Sequence, residues 1–199
     1  AAVGKVVAAF GGRLDVLVCS AGGSSSLEDP KAMAEFGTVS KDAFMNMYAL
    51  NCVSKVIAVA AAEHALLAAG GAIVHVSSAI SAIPAEAFMP YAAAMAAVDH
   101  VTKSQAIGYA GRGVRVNSVN PATVATPLSE TMVKGSGASL DEAFARLHPV
   151  GRVGRAEEVA EAIAFLADNE RAGFVTGTCL MVDGGAAVST WWTADKMKK

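Results

Sequence analysis

Leu14-Asp15-Val16-Leu17-Val18-Cys19-Ser20-Ala21-Gly22-Gly23 is the stretch on which the fold turns. Its first six residues are almost wholly apolar, and the run then stops on small, flexible residues. An apolar run of this length, without polar alternation and bounded by turn residues, is the pattern of a strand covered on both faces of a parallel sheet. The same form recurs in Ala72 to Ser78 (AIVHVSS), in Val114 to Val119 (VRVNSV), and in Cys179 to Val182 (CLMV), which Asp183-Gly184-Gly185 stops.

Helical patterns fill the intervals. Lys41 to Ala69 opens behind Ser40 as an N-cap, Met89 to Ala110 stops at Gly111, and Ala156 to Asp168 opens on Glu157-Glu158, favourable charges at a helix N-terminus. The alternation predicts an α/β fold with a Rossmann-type, doubly wound parallel sheet and right-handed crossovers. It reads as one domain over 1–199, with 188–199 as a tail in which Lys196, Lys198 and Lys199 are solvated. The Gly- and Ser-rich segment Lys134 to Ser139 reads as a loop within a lid-like insertion.

Composition narrows the partners. A chain of 199 residues with 53% hydrophobic and 17% charged residues can bury a large core, and the low charge fits helix faces buried against other subunits. A net charge of -2 gives no electrostatic reason to expect nucleic acid or an anionic membrane surface. The apolar stretch Val56 to Val76 is broken by Glu63, His64 and Gly70-Gly71, so it reads as a helix followed by a strand and not as an inserted span. Cys19, Cys52 and Cys179 are odd in number, lack metal-ligand spacing and sit in apolar runs. They read as small buried hydrophobes of a reducing compartment, with no metal site.

Several landmarks now stand in one order: Leu14 to Val18 leading to Ala21-Gly22, then Asn51, Ser77-Ser78, Tyr91, Asn117 to Thr126 (NSVNPATVAT), Pro149-Val150-Gly151-Arg152, and Thr176-Gly177 closing on Val182 to Gly185. Tyr91 follows Ser78 by 13 positions, and Ser78 follows Asn51 by 27. In this order and spacing the chain resembles the short-chain dehydrogenase/reductase family, from its first residues to about Ala187. The resemblance implies an NAD- or NADP-dependent oxidoreductase acting on a small carbonyl or secondary alcohol. It implies that Ser78 holds the substrate oxygen, Tyr91 exchanges a proton with it and Asn51 anchors a water in the proton relay. It further implies a cofactor surface formed by Ala21, Gly22, Pro121, the backbone of Val124, and Thr126. Substrate choice would lie with the loops Pro84 to Phe88 and Pro127 to Leu147. Lys41 to Ala69 and Met89 to Ala110 would form the interface of a homo-oligomer.

Taken one at a time, the same residues have plainer readings: Ser78 as a turn cap, Tyr91 as an amphipathic ring at a helix start, Asn51 as a polar side chain bonded to backbone.

Two departures qualify the resemblance. The family's tyrosine is followed at the fourth position by a lysine that lowers the phenol pKa and bonds the nicotinamide ribose; here that residue is Met95. An opposite charge nearby lowers a phenol pKa by about 1 to 3 units, so its loss cuts the tyrosinate fraction roughly 10- to 1000-fold. Lys103, eight residues beyond Met95 and roughly 12 Å along the helix, does not substitute for it. The family position held by Ala122 is usually Gly, which predicts a strain of about 1 kcal/mol if the backbone there needs φ > 0.

The second departure is that no G-x-x-x-G-x-G run follows a strand, so the pyrophosphate-binding turn of a Rossmann sheet is not represented. Two βαβ units of about 30 residues put the unrepresented portion at roughly 60 to 70 residues, and leave the LDVLVC strand as an open edge for another segment or subunit to cover. The reading that competes with an enzyme is therefore an inactive structural or regulatory subunit of a larger assembly.

Overall fold

Four of the apolar runs pair side by side in a computed structural model that describes residues 2–24 and 40–189. Strands β1 (Val16–Cys19), β2 (Ala72–Val76), β3 (Arg115–Pro121) and β6 (Cys179–Val182) form one parallel sheet in the order β1-β2-β3-β6. The register sets Val16 beside Ala72, Ala72 beside Arg115, and Ser118 beside Cys179. The approach of β1 to β2 requires Gly71, since a Cβ there would lie 2.8 Å from the Asp15 carbonyl oxygen.

The absence of polar alternation has its reason in the two cores. Ile73 and Val116 pack on one face with Val59, Leu66 and Ala106, from helices α3 (Ser54–Ala69) and α4 (Met89–Ala110). Their neighbours Val74 and Val119 point to the opposite face and pack on Leu166 of helix α7 (Ala156–Ala167). Both faces of β2 and β3 are thus covered, as a doubly wound sheet requires. Strand β1 has a single neighbour, and Val16 and Val18 remain 37% and 40% exposed. The expected open edge is therefore present among the described residues.

The remaining elements are short. Helix α1 (Ala2–Ala9) packs against α3. A second sheet, β4 (Val124–Ala125) against β5 (Gly154–Arg155), follows the loop after β3, and its two-residue strands are too brief to leave a sequence pattern. Around the insertion, α5 (Pro127–Glu130) and α6 (Leu140–Phe144) are each closed by a capping box, Thr126 with Ser129 and Ser139 with Glu142.

Lys41 to Ala69 is one continuous rod, yet it is not uniformly α-helical. Helix α2 (Lys41–Tyr48), capped by Ser40, runs through a π-helical turn at Ala49–Val53 into α3. By length and composition this rod could cross a membrane; here Met47, Asn51, Cys52, Lys55, Val59 and Leu66 are buried within the α/β fold. Gly70 ends it in the left-handed conformation, at φ 61.

Two expectations need adjustment, and a third falls largely outside the described residues. Cys179 is only partly buried, whereas Cys19 and Cys52 are buried as expected. Ala122 carries no positive-φ strain, because no described residue other than glycine has φ > 0. Most of the 188–199 tail, with its lysines, lies outside the described residues.

Candidate active site

Parallel strands end together, so whatever follows them collects at one edge of the sheet. Ser77 and Ser78 follow β2, Ser20 to Gly23 follow β1, and Ala122 follows β3. The Ser77 amide still donates to the Val119 carbonyl at 2.8 Å, which fixes the serine pair against β3. Ser78 is extended (φ -156, ψ 150) and caps a single 3-10 turn at Ala79–Ser81, accepting from the Ile80 amide at 3.3 Å. Its hydroxyl donates to the Pro121 carbonyl at 3.3 Å, a long bond that leaves the group free to turn toward a ligand.

Beneath the serines lies a polar network. Asn120 donates to both carboxylate oxygens of Asp99 (3.0 and 2.9 Å) and to Ser81 Oγ at 3.1 Å, while Ser81 donates to Asp99 at 2.6 Å. Asn120 also reaches the Ser78 carbonyl at 3.4 Å. The serine turn, α4 and the start of the candidate cofactor loop are therefore tied to one another through groups that all find partners.

Tyr91 stands in the first turn of α4. Burial pushes its phenol above the ordinary value of 10.0, and the hydrogen bond with Ser78 pulls the other way. No charge among the described residues contributes to that balance. Met95, one turn further, is 3% exposed, and its carbonyl accepts from Ser77 Oγ at 3.3 Å.

Asn51 occupies the π-helical turn and is fully buried. Its amide group closes a two-way pair with the Gly23 backbone, accepting from the Gly23 amide at 2.9 Å and donating to the Gly23 carbonyl at 2.9 Å, while also donating to the Met47 carbonyl at 3.0 Å. A π turn widens the helix by one residue and re-aims a side chain. The structure uses it to place Asn51 against the β1 loop.

The candidate cofactor residues fall into two surfaces. Ala21 and Gly22 are exposed at the end of β1, and Pro121, Val124 and Thr126 are half-buried along the loop after β3. Thr126 Oγ1 accepts from the Ser129 amide at 3.2 Å, as the cap of α5, and lies 3.1 Å from Ser129 Oγ, while the Val124 carbonyl accepts from Ser129 Oγ. His148 holds the same loop by accepting the Thr123 amide at Nε2, 3.3 Å, and donating from Nδ1 to the Phe144 carbonyl at 3.0 Å. Behind it a cavity of about 290 Å³ is lined by Thr123, His148, Arg152, Glu158 and Asp183 among others, and by none of Asn51, Ser78 or Tyr91.

Sequence reasoning missed Lys55. It is 3% exposed, one turn beyond Asn51, and donates to the carbonyls of Cys19 at 3.1 Å and Ala21 at 2.7 Å. The available signal was a lone lysine inside an otherwise apolar helix stretch, four positions after a candidate site residue. Its environment is summarised by its titration, which burial pushes below the ordinary 10.5, with the Cys19 and Cys52 thiols opposing. Among the described residues no group of three or more His, Cys, Asp or Glu side chains is arranged to hold a metal ion.

With this geometry in hand, comparisons with known proteins are consistent across sequence and structure. The family model described as Enoyl-(Acyl carrier protein) reductase matches residues 1–187. A cis-4-hydroxycyclohexanecarboxylate dehydrogenase of Sinomonas cyclohexanicum is 41% identical over 175 residues, 87% of this chain and 66% of that protein. The chain spans under half the length of two other curated relatives that it matches. Ligand-free aldohexose dehydrogenase of Thermoplasma acidophilum superposes with a TM-score of 0.86 at 29% identity, covering 97% of this chain and 75% of that one. A gluconate 5-dehydrogenase from Burkholderia cenocepacia, solved with NADP and tartrate, gives 0.82 at 27% identity, covering 95% and 71%.

Proposed function

The chain belongs to the short-chain dehydrogenase/reductase family, and on that premise we propose that it is an NAD(P)-dependent oxidoreductase interconverting a small secondary alcohol and its carbonyl. The observation that carries this reading is the bond between Ser78 and Tyr91 at the C-terminal edge of the sheet, with Asn51 held against the neighbouring β1 loop at Gly23. Exposed Ala21-Gly22 and the Pro121 to Thr126 loop flank the strand ends where α/β sheets bind their ligands, so the residues present fit the nicotinamide side of a dinucleotide. The bound nucleotide would supply the hydride acceptor or donor.

The chain's own part is proton handling and orientation. Ser78 Oγ turns from the Pro121 carbonyl to hold the substrate oxygen. Tyr91 gives that oxygen a proton during reduction and takes it during oxidation, through its bond to Ser78. Asn51 keeps the β1 loop in place through Gly23. A relative named for a hydroxycyclohexane carboxylate makes ring-borne secondary alcohols the first substrates to try.

The test is nucleotide reduction by the intact protein with NAD or NADP against a panel of cyclic secondary alcohols, with Tyr91→Phe as control. Turnover that Tyr91→Phe abolishes supports the reading; turnover indifferent to Tyr91 refutes it.

Met95 favours a second reading, an inactive subunit of an assembly, because no described charge lowers the Tyr91 phenol. Nucleotide binding without turnover on any alcohol, at any pH, would select it. In either case we expect a homo-oligomer, supported by the exposed apolar stripe Phe44, Met45, Tyr48, Leu50 and Val53 on α2 and the π turn. Sedimentation as a lone monomer would count against that.

A further inference from the structure

Lys55 is a buried cation that the proposed chemistry does not use. It arises from the same rod as Asn51, and the two side chains converge on one short segment: Asn51 on both backbone groups of Gly23, Lys55 on the carbonyls of Cys19 and Ala21. Gly22, between those anchor points, has no room for a side chain on its inner side, because a Cβ there would lie 2.7 Å from Asn51 Oδ1 and 3.7 Å from Lys55 Nζ. Every residue from Cys19 to Gly23 except Ser20 is therefore contacted from below by one of these two side chains. The outer side of Ala21 and Gly22 stays exposed.

Burying an ammonium is costly unless its donors are satisfied, and here backbone carbonyls satisfy it. A methionine or leucine would fill the position more cheaply if packing alone were needed. Residue 95, in contrast, carries an apolar side chain, and its backbone carbonyl accepts from Ser77 Oγ.

We propose that Lys55 is a positioning residue for cofactor binding: it fixes the Cys19 to Gly23 loop through two carbonyls, and this anchor, not residue 95, sets the affinity for a nicotinamide nucleotide. The inference rests on the cofactor reading above. Lys55 touches the loop and acts on the nucleotide through it.

The groups facing Lys55 are the thiols of Cys19 and Cys52 and the imidazole of His75, which is itself pushed below 6.5 by burial. None of these carries a compensating negative charge near neutral pH, so among the described residues the ammonium is held by carbonyl dipoles. A neutral amine keeps two N–H donors but loses the charge assistance of both bonds. Affinity for the nucleotide should therefore fall at alkaline pH in the parent and show no such fall in Lys55→Met.

Two measurements test this on the intact protein. Amide hydrogen exchange without nucleotide reads the loop, and fluorescence titration with NADH and NADPH reads affinity. Lys55→Met, similar in length and apolar, is expected to speed exchange at the Gly23 amide and to weaken nucleotide binding roughly tenfold or more, the scale of losing hydrogen bonds from a charged donor. The rest of α3 should stay protected, kcat at saturating nucleotide should stay within about threefold, and Lys55→Gln should recover part of the loss. Met95→Leu should change affinity by less than about twofold. Unchanged Gly23 exchange, or unchanged affinity in Lys55→Met, overturns the inference. If the parent binds neither nucleotide, the cofactor reading fails instead, and the Gly23 exchange alone decides whether Lys55 anchors the loop.

Discussion

Replacing Met95 with lysine isolates the effect of one charge on the Tyr91 phenol. In the parent, burial holds this phenol above 10.0, so near neutrality fewer than about one molecule in a thousand carries the tyrosinate. Residue 95 lies one helical turn from Tyr91 and is buried, so an ammonium there would act at short range. Such a charge lowers a phenol pKa by about 1 to 3 units. One effect opposes it: the same burial penalises the new ammonium. The expected net shift is thus about 1 to 2 units. Alcohol oxidation needs the deprotonated phenol as base, so its rate rises with pH through the phenol pKa. The assay is kcat for alcohol oxidation from pH 6 to 11 at saturating nucleotide. The parent profile should climb past pH 10; Met95→Lys should reach its plateau about 1 to 2 units lower, with roughly 10- to 100-fold more turnover near pH 8. An unmoved profile, with Tyr91→Phe still inactive, would refute the assignment of residue 95 to the position that governs Tyr91.

Other perturbations test the scaffold. Gly22→Ala drives a Cβ into Asn51 Oδ1 and should break the Asn51–Gly23 pair, seen as faster Gly23 exchange with the melting temperature little changed. Asn120→Leu strips Asp99 and Ser81 of a buried partner and should cost about 1 to 3 kcal/mol in denaturant unfolding; a loss below about 0.5 kcal/mol would show that the network is not coupled. Glu158 is held down to about 2 by Arg152 and the Arg155 amide, so its folded value lies below the ordinary 4.5. The stability it contributes is present above pH 4.5 and lost as pH falls toward 2, and Glu158→Gln should flatten that part of the acid limb of a melting-temperature profile. Cys19, pushed up to about 11 by burial, should resist iodoacetamide at pH 8 in the folded protein and react after unfolding, as peptide mass spectrometry would show.

Much of this protein is legible in one dimension because its main signals are local. Apolar runs such as AIVHVSS need cover on both faces, and that need alone implies parallel strands between helices. Gly111 and Gly70 end helices by chain chemistry, and Ser40 starts one. The spacing of Asn51, Ser78 and Tyr91 is also a property of the chain, so the candidate trio is legible in the sequence alone. Met95 was equally visible as an apolar residue in a position the family gives to lysine.

What only the tertiary structure decided are the matters of direction and proximity. A π-helical turn leaves no composition signature, because it is one extra residue in a helix, accommodated by packing; yet it aims Asn51 at Gly23. Strands of two residues, as in β4 and β5, are too short for any period to register. Lys55 becomes an anchor only because the sheet places the Cys19 and Ala21 carbonyls within its reach, 36 and 34 residues away in sequence. Its burial depends on contacts between distant segments, and such contacts are formed only when the helix folds back across the strand ends.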